Sequence, residues 1–261
     1  MELKNTYFTI EPDQVISLAL DIGELMVMCN AEITRVEDTI IRICDVYNLK
    51  RVDVFAITSI IIVSTKTDFG DTITQTRRIY ASSTDLHKLE DLNSLSRYIC
   101  KNRPMPDEAQ KKIHELTTRN TSNSFMNFCG YVLASSSFTM FFGGNFIDFI
   151  ATGIIAMLLF YIDTFVKKIS NNQILYCSVC SIIAGYSAII LVKMGLGVNM
   201  DKIMIGDIML LIPGIPLINS ARDMLCGDII AGVLRLVDAI LIAVSIACGF
   251  AIPLITLGGM M

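Results

Sequence analysis

From residue 125 onward the chain divides into five apolar stretches, roughly 125–143, 146–166, 173–193, 203–219 and 236–257. Each is near the ~20 residues a helix needs to cross a bilayer. Before them the pattern is that of a water-facing fold. Val15, Leu18, Ala19, Ile22, Leu25 and Met26 recur at helical spacing within residues 14–29, which predicts a first helix. Thr34 and Glu37 have capping-box spacing, and Val36, Ile40, Ile43 and Val46 continue one apolar face, so a second helix is expected to start at Thr34. Between Val52 and Tyr80 the texture changes to β-branched runs separated by polar turns, the signature of a small antiparallel meander. Thr84 is placed to cap a helix over 85–101, and Pro104 and Pro106 separate it from a last one over 107–118. The predicted fold class is therefore an α+β cytoplasmic head, residues 1–122, followed by an α-helical transmembrane bundle of five spans, residues 123–261.

Composition agrees with this division. The chain is 53% hydrophobic and 18% charged, with mean hydropathy +0.58, too apolar for a soluble protein of 261 residues. Of 21 Lys+Arg, only Lys167, Lys168, Lys193, Lys202, Arg222 and Arg235 lie beyond Arg119. Of 25 Asp+Glu, only Asp148, Asp163, Asp201, Asp207, Asp223, Asp228 and Asp238 do. The head is close to charge balance, which gives no footprint for nucleic acid. Lys167, Lys168, Arg222 and Arg235 fall in connectors on the head's side, so the positive-inside rule puts the head in the cytoplasm, with Lys193 and Lys202 opposing weakly. MELKNTYFTIEPDQ lacks a basic region followed by an apolar core, and no cleavable signal peptide is expected. Cys29, Cys44 and Cys100 show no paired spacing, and the C-x-x-C of Cys177 and Cys180 lies in an apolar stretch, where both read as packing residues.

Several chemistries drop out. No G-x-x-x-x-G-K-[ST] or G-x-G-x-x-G occurs, and His87 and His114 belong to no H-E-x-x-H, so neither nucleotide binding nor a zinc hydrolase is expected, and no cofactor or metal is implied.

The fourth span poses the sharpest local question. In GDIMLLIPGIPLINSARDMLCGD, residues 206–228, Pro213, Gly214 and Pro216 forbid an uninterrupted helix from Leu211 to Leu217. Unwound backbone at membrane depth is tolerated only where protein buries it or a polar cavity needs it. The same segment carries Asp207 within the span and Asn219, Arg222, Asp223 and Asp228 beyond it. An intramembrane ionisable group faces the bundle interior or a water path. Asp207 therefore reads as functional in preference to structural. Asp148 and Asp163, near opposite ends of the second span, divide between function and contact with water. Freed carbonyls, the Asp207 carboxylate, Asn219 and Arg222 together offer what an amino acid's ammonium and carboxylate require. Arg222 and Asp223 equally fit a salt bridge at the membrane interface. Residues 221–235 fit an interfacial helix or a re-entrant one.

In the head, Glu32, Arg35, Glu37 and Asp38 crowd into two turns, locally no more than a solvated helix start. The wider set of motifs is distinctive. Ala31–Thr39 reads AEITRVEDT, followed by Asp53-Val54-Phe55, Thr76-Arg77-Arg78-Ile79 and LEDLNSLSR at 89–97. Ile212-Pro213-Gly214-Ile215-Pro216, Arg222-Asp223 and Gly227-Asp228 then form P-G-x-P-x-x-x-x-x-R-D-x-x-x-G-D. In this order the motifs resemble the threonine/serine exporter family over essentially the whole chain. Asn30 stands where relatives often have Gly.

The resemblance implies a multi-pass protein of the bacterial inner membrane that exports threonine or serine as a secondary transporter, with no enzymatic activity. Fused family members continue into further membrane helices, so the chain resembles the large subunit of a two-component form, partnered by a smaller membrane subunit or by further copies of itself. In that form, export of a dicarboxylate such as succinate is the alternative. Rival classes are a membrane-anchored hydrolase and a sensor, but an anchor needs neither five spans nor intramembrane carboxylates, and the head offers no nucleophile paired with a base. A proton-exchange role falls on Asp207 or Asp163.

Overall fold

The computed structural model describes residues 11–67, 70–80, 83–119, 124–166 and 172–257. In chain order the elements are α1 (Pro12–Met28), α2 (Ile33–Val46), β1 (Lys50–Ile57), β2 (Ile60–Lys66), β3 (Thr72–Arg78), α3 (Leu86–Asn102), α4 (Pro106–Thr118), α5 (Ser124–Phe141), α6 (Phe146–Val166), α7 (Gln173–Lys193), α8 (Met200–Leu211), α9 (Gly214–Cys226) and α10 (Ile229–Thr256). Contacts divide the chain into two compact units. One is Met1–Thr121 with Ile215–Leu236, the other Ser122–Gly214 with Val237–Met261. Residues 123–261, expected as one domain, divide between these units, with Ile215–Leu236 in the first.

In the first unit, β1, β2 and β3 form an antiparallel meander in the order β1-β2-β3. The register sets Val54 opposite Val63 and Ala56 opposite Ile61. Alternation along the strands sends Ala56, Ile61 and Val63 into a core shared with Ile16, Leu20 and Ile22 of α1, Ile33, Ile40 and Ile43 of α2, and Leu92 and Ile99 of α3. Gly23 lets α1 approach α2, because a Cβ there would strike the Ile40 side chain. Arg77 of β3 is fixed by the Asp21 carboxylate at 2.9 Å and the Ser17 hydroxyl at 3.0 Å on α1.

Two predicted caps are corrected. The helix after the meander is capped by Asp85, which accepts the Lys88 N–H at 2.9 Å, while Thr84 accepts the Asn30 amide at 3.0 Å. Helix α2 begins at Ile33, its N-cap is Glu32, and no capping box forms there. Thr34 donates instead to Asp228, and Glu37 accepts the Ala56 N–H of β1. Distant partners have outcompeted the local ones.

In the second unit, α5 packs on α6 and α8, and α7 packs on α6 and α8. A reciprocal capping box does occur here, at the start of α6: Asn145 N–H donates to Asp148, and Asp148 N–H to the Asn145 side chain. Small residues bring α7 and α10 together, Gly185 against Pro253 and Gly249 against Ser181, as expected of helices packing in lipid. Cys177 and Cys180 are buried and form no disulfide.

Among the described residues, three helices are long and apolar enough to cross a membrane, within Phe146–Asp163, Gln173–Lys193 and Ile229–Thr256, and α8 with α9 makes a fourth if the broken pair is one span. The helix predicted over 125–143 is present as α5 but is too rich in hydroxyls to join this set. The predicted unwinding is also shorter than expected. Only Ile212 and Pro213 leave the helix, and Pro216 sits in the first turn of α9, where its missing N–H has no intrahelical role.

Candidate functional site

Two polar centres stand out, one in each unit. The first joins both sequence signatures. Helix α1 ends with Asn30 in the left-handed region at φ 61°, and Asn30 N–H and Ala31 N–H bond the carbonyls of Val27 and Met26. That is a Schellman turn, which explains why Gly suits this position and Asn serves as a substitute. The turn aims the N-terminus of α2 at Asp223, whose Oδ1 accepts the Ile33 N–H at 3.2 Å. Asp223 Oδ2 faces Arg235 Nη1 at 3.2 Å, and Arg235 Nη2 donates to the Ala31 carbonyl at 2.9 Å. Both side chains of this ion pair are buried. Around it, Arg222 pairs with Glu32 at 2.7 Å, Thr34 donates to Asp228 at 2.8 Å, and Asn219 donates to the Asn30 carbonyl at 2.8 Å. Gly227 takes φ 105° so that the chain turns from α9 into α10 and presents Asp228. Gly232 permits the close packing of α10 on α9, since a Cβ would meet Met224 and the Ser220 carbonyl.

This arrangement sets acidic groups at the positive end of the α2 macrodipole and balances them with two arginines. Of the head motif, Glu32 and Glu37 are engaged, Asp38 makes an exposed i,i+4 pair with Arg42, and Arg35 is exposed. Burial pushes the Glu37 carboxyl above the usual carboxylate range, offset in part by the Ala56 N–H. Arg235, read from sequence only as a topology determinant, is the buried centre of the junction. A lone basic residue near the start of an apolar helix carried no other signal. The other topology residues, Lys167 and Lys168, lie outside the described residues.

The second centre is Asp207 on α8, fully buried. Its Oδ1 accepts the Ser135 hydroxyl of α5 at 2.9 Å, and its Oδ2 has no hydrogen-bond partner among the described residues. Thr139 of α5 and Thr152 of α6 share a hydrogen bond of 2.8 Å, both fully buried. Gly206 holds α8 against these groups, since a Cβ there would collide with Thr139 Oγ1 and the Ser135 carbonyl. Sequence reasoning found Asp207 but missed the hydroxyls, which look like ordinary small residues of a packed helix.

The remaining carboxylates differ. Asp148 is fully buried and accepts four donors: Val198 N–H at 2.7 Å, Asn199 N–H at 2.9 Å, the Asn199 amide at 2.8 Å and Asn145 N–H at 3.0 Å. It clasps the start of α6 to the loop that precedes α8. Asp163 is half-buried and meets the hydroxyls of Tyr131 and Tyr176. The segment 206–228 thus divides by partner: Asp207 meets Ser135, whereas Asn219, Arg222, Asp223 and Asp228 meet residues 30–34 or Arg235. Pro213 and Gly214 form the break between them, with Gly214 N–H bonded to the Ile212 carbonyl at 2.8 Å. Among the described residues, no group of three or more His, Cys, Asp or Glu side chains is placed to hold a metal ion.

Apolar helices with carboxylates sealed inside them define a multi-pass membrane protein of the transporter class. The sequence model of the family described as "Putative threonine/serine exporter" matches residues 17–256, and the chain belongs to that family. It is also 27% identical over 199 residues to pheromone-regulated membrane protein 10 of Pichia sorbitophila, an alignment covering 71% of this chain and 19% of that protein. The chain thus spans about a fifth of that relative's length. No solved structure matches.

Proposed function

We propose that this chain is one subunit of a secondary transporter that exports a small polar metabolite, threonine or serine first, across the bacterial inner membrane by alternating access without ATP hydrolysis. Helix α5 completes a bundle of five spans, the head stays in the cytoplasm, and a smaller membrane subunit or a second copy completes the pathway, because five helices are few for a transporter built on inverted repeats. The observation that carries this reading, beside family membership, is Asp207. A carboxylate kept inside apolar helices with a hydroxyl as its hydrogen-bond donor has no evident structural use and suits a substrate or coupling site. Asp163, between two tyrosines, is the second candidate for proton exchange.

Efflux of preloaded labelled threonine, serine and succinate from cells expressing the chain, with and without a small membrane subunit encoded beside it, tests the reading. Threonine or serine efflux that follows an imposed pH gradient supports it. Succinate efflux alone moves the substrate to dicarboxylates, and no efflux in any pairing overturns the transporter assignment.

A further inference from the structure

Asp207 is equipped to hold one positive charge, and its surroundings limit what that charge can be. Burying a charged carboxylate carries a penalty of several kcal/mol unless a partner compensates it. Here Oδ1 has the Ser135 hydroxyl, and among the described residues Oδ2 has no hydrogen-bond partner. Among the described residues, the charged and titratable groups on the elements packed against α8 make no bond to Asp207. Asp201 and Lys202, at the start of α8 itself, pair at 3.0 Å. On α6, Asp148 is consumed by its four donors and Asp163 meets Tyr131 of α5 and Tyr176 of α7. Helix α5 further carries Cys129; α7 carries Cys177, Cys180, Lys193 and Tyr186, whose hydroxyl bonds Thr256. Among the described residues none of these bonds to Asp207. The adjoining surface is instead a set of hydroxyls, Ser135, Thr139 and Thr152, all fully buried.

We infer that Asp207 Oδ2 is a single seat occupied in turn by a proton and by the primary ammonium group of the exported substrate, with the neighbouring hydroxyls serving the substrate's polar atoms. The inference rests on the exporter reading and adds its coupling chemistry. When the ammonium docks, the carboxyl O–H bond breaks, the proton leaves to water, and a neutral carboxylate–ammonium pair remains. The reverse step returns the proton to Oδ2 and releases the substrate as its zwitterion. At Oδ2 itself the carboxyl O–H and the carboxylate–ammonium pair are both neutral, the substrate's own carboxylate is left to the hydroxyls of Ser135, Thr139 and Thr152, and only the empty ionised seat is penalised, so substrate and proton exchange one for one. A dicarboxylate brings no ammonium to the seat and is rejected.

The test is proton release. Threonine is added to the purified full-length protein in weakly buffered detergent, with binding followed by calorimetry in buffers of different ionisation enthalpy. The seat predicts about one proton released per threonine bound, and an apparent Kd that rises about tenfold for each unit fall in pH across the range where Asp207 is protonated. Methylammonium displaces threonine and also releases a proton; succinate does neither. Asp207→Asn weakens threonine binding at least tenfold and abolishes release, whereas Asp207→Glu keeps release with a shifted pH profile. Threonine binding without proton release in the wild type overturns the inference, as does unaltered release in Asp207→Asn or the absence of any binding by threonine and methylammonium. The two readings fail separately. Proton release without threonine efflux in any pairing defeats the exporter reading alone, and pH-driven threonine efflux untouched by Asp207→Asn defeats the seat alone.

Discussion

The two polar centres spend the same kind of residue in opposite ways. At the junction, Asp223 is buried with a helix N-terminus on one oxygen and an arginine on the other, and its neighbours Glu32, Thr34, Arg222 and Asp228 pair among themselves. At Asp207 one oxygen is bonded and the other is left open. A carboxylate with a hydrogen bond on one oxygen and a counter-charge beside the other holds parts together, because removing the counter-charge strands a buried charge. A half-paired carboxylate contributes little to holding and is available to a ligand. On the proposed function, the junction fastens and Asp207 carries.

Mutations sharpen that contrast, the largest first. Arg235→Met leaves Asp223 buried without its counter-charge and is expected to cost about 3–5 kcal/mol, read as a fall in thermal stability in detergent. Adding Asp223→Asn to Arg235→Met restores part of that loss, since the stranded charge is removed while an oxygen remains for the Ile33 N–H. Asp148→Asn keeps an oxygen for Val198 and Asn199 N–H but turns a donor toward two donors, and is expected to cost about 1.5–3 kcal/mol in the same assay. Gly206→Ala forces α8 away from Thr139 and the Ser135 carbonyl, with an expected cost of about 1–3 kcal/mol and loss of efflux. The Glu32–Arg222 pair is small by comparison. Arg222 is 62% exposed, and a double-mutant cycle with Glu32→Gln and Arg222→Gln is expected to give about 0.2–1 kcal/mol, less at high salt.

Acid titration of Glu37 supplies the smallest effect, and its sign is fixed. Burial raises the folded-state pKa above its unfolded value. Its favourable contribution is therefore fully present below the unfolded pKa and lost as pH rises through the folded one. Relative to Glu37→Gln, the wild type gains stability as pH falls from neutrality toward 4, measured as the difference in their melting temperatures. A difference that grows in the opposite sense contradicts the burial of this carboxyl.

The legible and illegible parts of this fold separate by distance along the chain. Apolar spacing placed α1 and α2, capping and proline signals placed α3 and α4, apolar length placed α6 and α7, each within a few residues, and β-branched runs placed the meander, since each depends on neighbours close in sequence. The Thr34–Glu37 capping box failed because Asp223, 190 residues from Ile33, and Asp228, 194 residues from Thr34, compete for the same helix start. No local pattern records that competition. The proline break was legible, but its two-residue length was not, because Pro216 in the first turn of a new helix costs nothing. Asp207 was visible as a charge in an apolar stretch. Ser135 and Thr139 were not, since hydroxyl residues in membrane helices commonly bond their own backbone, as Ser181 does to the Cys177 carbonyl.

The most direct measurement compares Asp207→Asn with Arg235→Met in one assay, threonine efflux from proteoliposomes per unit of folded protein. The account predicts that Asp207→Asn melts at or above the wild-type temperature and loses efflux, while Arg235→Met melts lower and its folded fraction still transports. Efflux preserved in Asp207→Asn, or lost in the folded fraction of Arg235→Met, would contradict the division between a centre that fastens and a centre that carries.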